Sequence, residues 1–561
     1  MRPALQKVLD RARSVPKSVY LVAALLALLT IARLVIVSNQ GMSASGGALE
    51  DDTLFVKLGF YIKHGLWLGP FDARTLVKGP VYPMWIALVA TLGAPLLLAQ
   101  QVLYTASCAL FAWVMGPALR TRKAAAALYV VLLLSPIAFA DGPFTRALRE
   151  GIYVSLTLLV LACAIALWTR AQRPVRSWAG WAIGLGATAA AFWLTREEGV
   201  WLVPVLLLPA ASAAMALRGK PRDWRGARKR LVPWGVAAVI ALGCVGAVAA
   251  NNQRIYGTYK TVDTVSGPFL SAYGALTRIT PDHWVRDVPV TRDARIKAYS
   301  ISPSFAQLQP SLEGTIGVNW IKIGGGDDLR GGWFSWALRD AAASVGHYRT
   351  ATEADAYFQR VADEINTACD AGLVACVGPR ATLMPPLRTA YLQPFASAAG
   401  RSGLTLARWG GIGVAASPST VPTDVAYNFR AMTNENEVGN DPVPPLRPTA
   451  TAALSVDLSA YQLATPIALV LALAGFVLAL VPVVRKNPGA GSLNTAVMLT
   501  ALLACVLSRI VLVSLVDATS FPAVSAIYLA PAFDIMLVWI FISAETLARE
   551  VRKRLADRAS S

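Results

Sequence analysis

Three carboxylate side chains follow one another at Glu50, Asp51 and Asp52, shortly after a long apolar run. Carboxylates at such a position have two plausible roles. They complement the dipole of a helix N-terminus and cap its free N–H groups, or one of them acts as a general base that takes a proton from a substrate hydroxyl. The choice depends on which side of a membrane they face, and therefore on the spans around them.

The composition is that of a membrane protein. Of the 561 residues, 55% are hydrophobic and 15% are charged, against about 25% charged in a typical soluble domain. Apolar runs of about 18–22 residues, the length that crosses hydrocarbon as a helix, recur along the chain. We predict an all-α polytopic protein with ten spans, at 19–38, 101–119, 124–140, 151–168, 178–194, 200–217, 232–250, 464–484, 494–515 and 528–547.

The net charge of +19 reflects the orientation of the spans in the membrane and does not indicate a nucleic-acid partner. Between residues 251 and 460, 18 basic residues balance 18 acidic ones. The basic excess lies in the remainder, in short loops between apolar runs, at 120–123, 170–176, 218–230, 485–486 and 549–554. The positive-inside rule then places these loops and both termini in the cytoplasm. The run 19–38 is longer than the core of a cleaved signal peptide, so we expect it to remain as the first span.

The stretch 79–119 holds either two short spans or one span preceded by a helix along the interface. Two spans would put the basic loops on opposite sides of the membrane, so we prefer one. Residues 39–98, the inserted segment (residues 251–460) and the loops near 141–150 and 195–199 then share the outer face. Glu50, Asp51 and Asp52 lie on that face.

The spans divide the chain into three predicted domains: a transmembrane module at 1–250 with a catalytic outer loop at 39–98, a soluble domain at 251–460, and a second transmembrane module at 461–561. The inserted segment is mainly helical, with helices over 333–348 and 353–372. The apolar residues Tyr357, Phe358, Val361 and Ile365 share one face of the second helix, and Gly372 is placed to end it.

Four outer loops that are distant in sequence bring charge to one membrane face. Their charged residues are Asp51, Asp52, Lys78, Arg149, Glu150, Arg196, Glu197 and Glu198. Transfer of a group from a lipid phosphate needs a base for the acceptor proton and cations for the departing phosphate. Each residue alone also has a plainer interpretation: helix capping for the acids, an interfacial lysine or a solvated loop tip. Jointly, the pattern favours a site.

The first outer loop continues as a short amphipathic helix on the membrane, because its apolar residues Leu54, Phe55, Leu58, Tyr61 and Ile62 recur at helical spacing. Lys78 and Tyr82 then return to the membrane surface.

This order of elements resembles the GT-C class of glycosyltransferases, and most closely the lipid A aminoarabinose transferases and protein O-mannosyltransferases. The resemblance rests on an outer Asp-Asp-Thr at an interfacial helix, followed by the segment VKGPVYP. It implies a GT-C-like bundle of about ten spans with a mainly helical periplasmic domain between spans seven and eight. The family's catalytic Asp falls on Asp51 with Asp52 beside it, and its first-loop lysine falls on Lys78.

Two later motifs extend the resemblance. LREGIY places the family's acid between spans three and four at Glu150, and WLTREEGVW places its basic residue after span five at Arg196. The sequence departs from the pattern at Glu197 and Glu198, which follow that arginine, and at Ile527, where an arginine is common. The inserted segment carries no motif of either family.

The resemblance implies an inverting transferase of the bacterial inner membrane, with its active site in the periplasm. The donor is a polyprenyl-phosphate sugar and the acceptor a periplasmic glycan, lipid or protein, without a cofactor. Lys78, Arg149 and Arg196 would bind the donor phosphate, and Glu150, Tyr82, Glu197 and Glu198 would complete the site. The three histidines are scattered, at His64, His283 and His347, so the sequence predicts no metal site.

Two other classes remain open. An O-antigen polymerase or ligase would rely on arginines of a late outer loop, and the inserted segment has Arg380, Arg388, Arg401 and Arg408. A secondary transporter would place charges near the membrane midplane, and the notable charges within the spans are Arg33, Arg509 and Asp534. Convergence of Asp51, Lys78, Glu150 and Arg196 on one cavity would favour the transferase.

The six cysteines fall into two groups. Cys108, Cys163, Cys244 and Cys505 lie in apolar runs, as small core residues do. Cys369 and Cys376 lie in the inserted segment, where an oxidising compartment would let them form a disulfide. The alternative is a pair of buried free thiols.

Overall fold

The structure, a computed structural model, describes residues 17–217, 222–485 and 490–560. Within these ranges the chain is helical, with isolated β-bridges and no strand. The predicted all-α polytopic class is therefore confirmed. The first 16 residues, to which we assigned a cytoplasmic N-terminus, lie outside the described ranges. So do parts of two predicted cytoplasmic loops, 218–230 and 485–486.

Nine helical segments of the described chain are long and apolar enough to cross a membrane. They are Lys17–Ser38, Leu96–Leu119, Arg122–Phe139, Glu150–Arg170, Gly199–Leu217, Trp224–Tyr256, Arg447–Val484, Ser492–Thr519 and Ala526–Ala559. The remaining predicted span, the fifth along the chain (178–194), is also a helix, Val175–Thr195, but it is less apolar than the others. It packs between Glu150–Arg170 and Trp224–Tyr256, so it belongs to the same bundle.

Two short helices follow the first span. The first-loop helix (Leu54–Lys63) begins after a single π-type turn at Leu49–Thr53. Its buried Leu54 and Leu58 pack in a small apolar cluster. The next helix, Val81–Thr91, has 11 residues and is about 17 Å long at 1.5 Å per residue. It is too short to cross hydrocarbon, as we predict for this stretch.

The inserted segment forms an apolar core of its own, separate from the core of the membrane bundle. Its helices are Pro268–Leu276, Arg292–Ile301, Pro303–Ala306, Gln309–Leu312, Thr315–Gly324, Gly331–Ser344 and Ala351–Asp370. The last two correspond to the two predicted helices. Tyr357, Phe358, Val361 and Ile365 are all buried, and Gly372 takes a φ of 71° just after the second helix.

The ends of the inserted segment merge with the membrane bundle. The predicted boundaries near 250 and 460 fall inside the helices Trp224–Tyr256 and Arg447–Val484. Two further helices, Leu392–Arg408 and Thr423–Thr433, contribute residues such as Leu406 and Phe429 to the core of the bundle. The division of the chain into three domains stays a prediction.

Candidate active site

A cavity of about 330 Å³ lies where the first outer loop meets the start of the helix Glu150–Arg170, the loop after Thr195 and the roof helix (Gly331–Ser344). Its charged lining residues are Glu50, Asp51, Lys78, Arg146, Arg149, Glu150 and Arg196. The structure thus brings Asp51, Lys78, Glu150 and Arg196 together around one cavity. This is the arrangement that favours a transferase over a transporter.

Asp51 and Lys78 form an ion pair inside the cavity. The Nζ atom of Lys78 donates to Oδ1 of Asp51 at 2.6 Å, and the Asp51 side chain is 44% exposed while that of Lys78 is 12% exposed. Desolvation raises the pKa of Asp51, but Lys78, and further away Arg149 and Arg146, lower it more, to about 2. Asp51 is therefore ionised and accessible, as a base must be.

Asp52 points away from the cavity and is fully buried. Arg146 holds it through two hydrogen bonds of 3.0 Å, and the backbone N–H of Ser45 donates to it at 2.7 Å. Burial outweighs these contacts and raises the pKa of Asp52 to about 6. Among the described contacts, neither Asp51 nor Asp52 accepts a hydrogen bond from the N-terminus of the first-loop helix, so neither caps it. Both lie in the π-type turn that precedes this helix, where a negative charge complements the helix dipole.

Arg196 is buried between two carboxylates. Its guanidinium forms ion pairs with Glu150 and, at 3.2 Å, with Glu198. The same group lies 5.1 Å from the centre of the Tyr528 ring. Desolvation raises the pKa of Glu198, but Arg196, followed by Arg509 and Arg149, lowers it to about 2. Arg196 is therefore held rigidly at the cavity wall with a carboxylate on either side.

Arg509 supports this arrangement from the helix Ala490–Thr519. Its Nη1 lies 3.5 Å from Glu198, and its Nε donates to the carbonyl of Tyr528 at 2.7 Å. The other predicted charges within the spans, Arg33 and Asp534, lie in buried hydrogen bonds to Gln101, Tyr104 and Ser135.

Of the remaining predicted site residues, only Arg149 lines the cavity. It pairs at 3.5 Å with Glu197, whose side chain is 13% exposed. Burial raises the pKa of Glu197 despite Arg149. Tyr82 is buried and donates to Gln100 at 3.3 Å. Tyr82, Asp52, Glu197 and Glu198 are thus absent from the lining residues and support those that are present.

Gly79 allows the first outer loop to reach the loop that carries Arg196. A Cβ atom at Gly79 would lie 1.9 Å from the carbonyl oxygen of Leu194, so no other residue fits without a shift of the backbone. This close approach places Lys78 beside the loop that carries Glu197, which is the residue that pairs with Arg149.

The inserted segment is tied to the first outer loop by a second ion network. Arg74 donates to Glu50 at 2.7 and 2.8 Å and lies 2.9 Å from Asp340 of the roof helix. Glu50 therefore anchors the roof helix next to Asp51, and the cavity is closed on that side by the inserted segment.

Arg146 and the aromatic wall of the cavity are parts of the site that the sequence motifs did not indicate. The wall consists of Phe55, Trp333, Trp336, Phe521 and Tyr528. Arg146 lies three residues before Arg149 in the same loop, so the charge of that loop was a signal for it. The late arginines of the polymerase or ligase alternative do not line the cavity. One of them, Arg401, pairs with Asp517 at 2.5 Å.

Two other sequence predictions concern covalent and metal chemistry. Cys369 and Cys376 form a disulfide in the structure, with their Cα atoms 5.6 Å apart. In the ranges that the structure covers, no group of three or more His, Cys, Asp or Glu side chains could hold a metal ion.

The chain is a polytopic, all-helical membrane protein. No protein-family model matches it, and no curated protein does. Two solved structures of ArnT from Cupriavidus metallidurans are similar to it, one in the apo state and one bound to undecaprenyl phosphate. The apo structure is 15% identical to this chain and the lipid-bound structure 14%. The matches cover 95% and 94% of this chain and 78% of each ArnT chain, and both have a TM-score of 0.31.

Both structures are of a lipid A aminoarabinose transferase, one of the two families that the first outer loop resembles.

Proposed function

We propose that the protein is an inverting glycosyltransferase that moves a sugar from a polyprenyl-phosphate donor to an acceptor hydroxyl or amine. The observation that carries the proposal is the Asp51–Lys78 pair, an accessible carboxylate and a cation in one cavity between the membrane bundle and the inserted segment. Arg149 and Arg196 in the same cavity add positive charge for a phosphate.

The reaction needs one proton transfer and one displacement. Asp51 takes the proton of the acceptor while the acceptor oxygen or nitrogen attacks the anomeric carbon from the face opposite the phosphate. The bond from that carbon to the phosphate oxygen breaks, and the electron pair leaves with the polyprenyl phosphate. The new glycosidic bond therefore has the inverted configuration.

The pairing of Asp51 with Lys78 balances charge during this step. A phosphodiester donor carries one negative charge, and the phosphomonoester that leaves carries up to two. Asp51 loses its charge when it accepts the proton, so Lys78 is released to pair with the phosphate as its charge grows. Asp51 thus acts first, on the attacking acceptor, and Lys78 acts next, on the departing phosphate.

The membrane orientation is part of the proposal. We assign the cavity to the periplasmic face of a bacterial inner membrane and both termini to the cytoplasm, because the basic loops alternate with the site loops along the chain. The acceptor is then a periplasmic glycan, lipid or protein.

The experiment that tests the proposal is a transfer assay with purified protein and a set of polyprenyl-phosphate sugars, read as release of polyprenyl phosphate. Turnover of at least one donor with inversion at the anomeric carbon is the expected result. A protein that binds these lipids and turns over none of them with any periplasmic acceptor fraction would contradict it. Polymerisation of a lipid-linked glycan would favour the polymerase or ligase alternative.

A further inference from the structure

Two tryptophans of the roof helix face the charged side of the cavity. Trp333 and Trp336 are three residues apart, so they lie on one face of the helix, and both line the cavity. Each is half-buried. The cavity thus has a charged side and an aromatic wall, and the inserted segment contributes the two tryptophans of that wall.

The indole N–H groups of Trp333 and Trp336 form no hydrogen bond with any described residue. A nearby tryptophan differs, since Trp320 donates to Asp340 at 2.9 Å. A tryptophan at a binding surface offers an apolar face together with one donor. Trp333 packs against Phe521 and Trp336 stacks on Trp320, while both side chains still line the cavity.

The wall is held in place at both ends. At one end, Gly332 lets the roof helix touch the loop at Phe521, because a Cβ atom there would lie 2.8 Å from the Phe521 ring. The ring of Trp333 packs against the same Phe521 with centres 6.0 Å apart. At the other end, Asp340 is joined through Arg74 to the first outer loop. The two indoles therefore keep a fixed position relative to Asp51.

Lys78, the cation assigned to the donor phosphate, lies beside Trp336. Its Nζ atom is 5.7 Å from the centre of the Trp336 ring, within the range of a cation–π contact, and 2.6 Å from Asp51. In a glycosyl phosphate a single oxygen joins the sugar ring to the phosphorus atom. A phosphate bound by Lys78 therefore keeps its own sugar ring within reach of the two indoles.

We propose that Trp333 and Trp336 form a platform that binds the sugar ring of the donor, so that the inserted segment selects the sugar. The ligand class is a pyranose, whose C–H face carries partial positive charge towards the indole ring and whose hydroxyls accept from the indole N–H. This proposal rests on the proposed function, and it assigns sugar recognition to a part of the chain that carries none of the family motifs.

The test compares binding of two lipids, a polyprenyl-phosphate sugar and the same polyprenyl phosphate without sugar, by displacement of a labelled lipid from purified full-length protein. Trp336→Ala and Trp333→Ala are expected to raise the Kd of the sugar-bearing lipid about tenfold each, as loss of an aromatic contact does, and to leave the Kd of the bare phosphate unchanged. Trp336→Phe retains an aromatic ring, so it is expected to raise the Kd of the sugar-bearing lipid less than Trp336→Ala does.

Trp284→Ala is the matched control. It removes an indole of the same segment that packs edge-to-face against Tyr391, with ring centres 5.5 Å apart, and that does not line the cavity. Equal loss of both lipids in Trp336→Ala, or no loss of the sugar-bearing lipid in a variant that melts like wild type, would overturn the platform. If wild type and both alanine variants bind the sugar-bearing lipid equally, the platform fails and the proposed function stands. If wild type binds no sugar-bearing lipid, the proposed function fails.

Discussion

Lys78 and Asp51 are paired with each other across 2.6 Å in the cavity. The group assigned to the donor phosphate and the group assigned to the acceptor proton therefore control each other's charge. In the proposed reaction, a phosphate that binds at Lys78 is expected to weaken the hold of Lys78 on Asp51 and so to raise the pKa of Asp51 when a donor is present. Asp51 would then be a weak base until its substrate is bound.

The first prediction concerns this coupling. Lys78→Met removes the main cause that lowers the pKa of Asp51, so that pKa is expected to rise from about 2 towards or above its ordinary 3.8. Infrared titration of the carboxylate band measures this pKa. The signal of Asp51 is the difference between each protein and the same protein with Asp51→Asn added. The Lys78→Met variant is expected to lose about tenfold or more in donor affinity, as charge-assisted contacts do.

The control is Lys57→Met, since Lys57 pairs with Asp72 on the exposed side of the same loop. An unchanged Asp51 pKa and unchanged donor affinity in Lys78→Met would show that Lys78 only anchors the loop.

The second prediction concerns the stability contributed by Asp52. Burial raises its folded-state pKa from 3.8 to about 6, so between pH 4 and 6 the folded protein binds a proton that the unfolded chain has released. The free energy of unfolding therefore falls as pH rises through this window, by at most about 1.4 kcal/mol per pH unit from this group. Asp52→Asn removes the contribution.

Thermal unfolding in detergent measures the contribution of Asp52 as the Tm of wild type minus the Tm of Asp52→Asn. This difference is expected to fall as pH rises from 4 to 6 and to be constant below pH 4. A difference that rises with pH would show that the ion pair with Arg146 outweighs burial.

The third prediction compares two arginines of the cavity. Arg196 bridges Glu150 and Glu198, a geometry that a guanidinium fits and an ammonium does not. Arg149 makes one ion pair, with Glu197 at 3.5 Å. Arg149→Lys is expected to keep most of kcat/KM, whereas Arg196→Lys loses much of it and Arg196→Ala about 10²-fold or more, the size of a lost charge stabiliser. Equal tolerance of lysine at both positions would contradict the bridging role.

The fourth prediction tests the compartment of the inserted segment. If it is periplasmic, the Cys369–Cys376 disulfide is present in protein from intact cells. Mass spectrometry of unreduced peptides is expected to find the bridge, and replacement of both cysteines by serine is expected to cost about 2 kcal/mol, near the low end for disulfides. Two free thiols that react only with reagents applied from the cytoplasm would reverse the orientation of the site.

The sequence predicts the charged part of this site because charge is scarce in such a chain. Asp51, Lys78, Glu150 and Arg196 stand in short loops between apolar runs, and parity of the spans brings those loops to one face. The spans themselves follow from length and hydropathy. Even the less apolar Val175–Thr195 was found, because its flanking loops are clear.

The aromatic wall could not be predicted in the same way. Trp333 and Trp336 lie at helical spacing in a soluble segment, where the same pattern describes an ordinary core face. Only the tertiary fold shows that this face meets Phe521 and Lys78. The different roles of Asp51 and Asp52 were equally hidden, because neighbouring residues in a turn point in directions that depend on its type, and the turn here is π-type.

The central claim is that Asp51 is the base, and the most direct measurement is the rate of Asp51→Asn with donor binding measured alongside. We predict that kcat falls by about 10²–10⁴, the contribution of a general base, while the Kd of the polyprenyl-phosphate sugar changes little. Asp72→Asn, the same substitution at the exposed acid of the same loop, is expected to keep the wild-type rate. Wild-type turnover by Asp51→Asn would contradict the account.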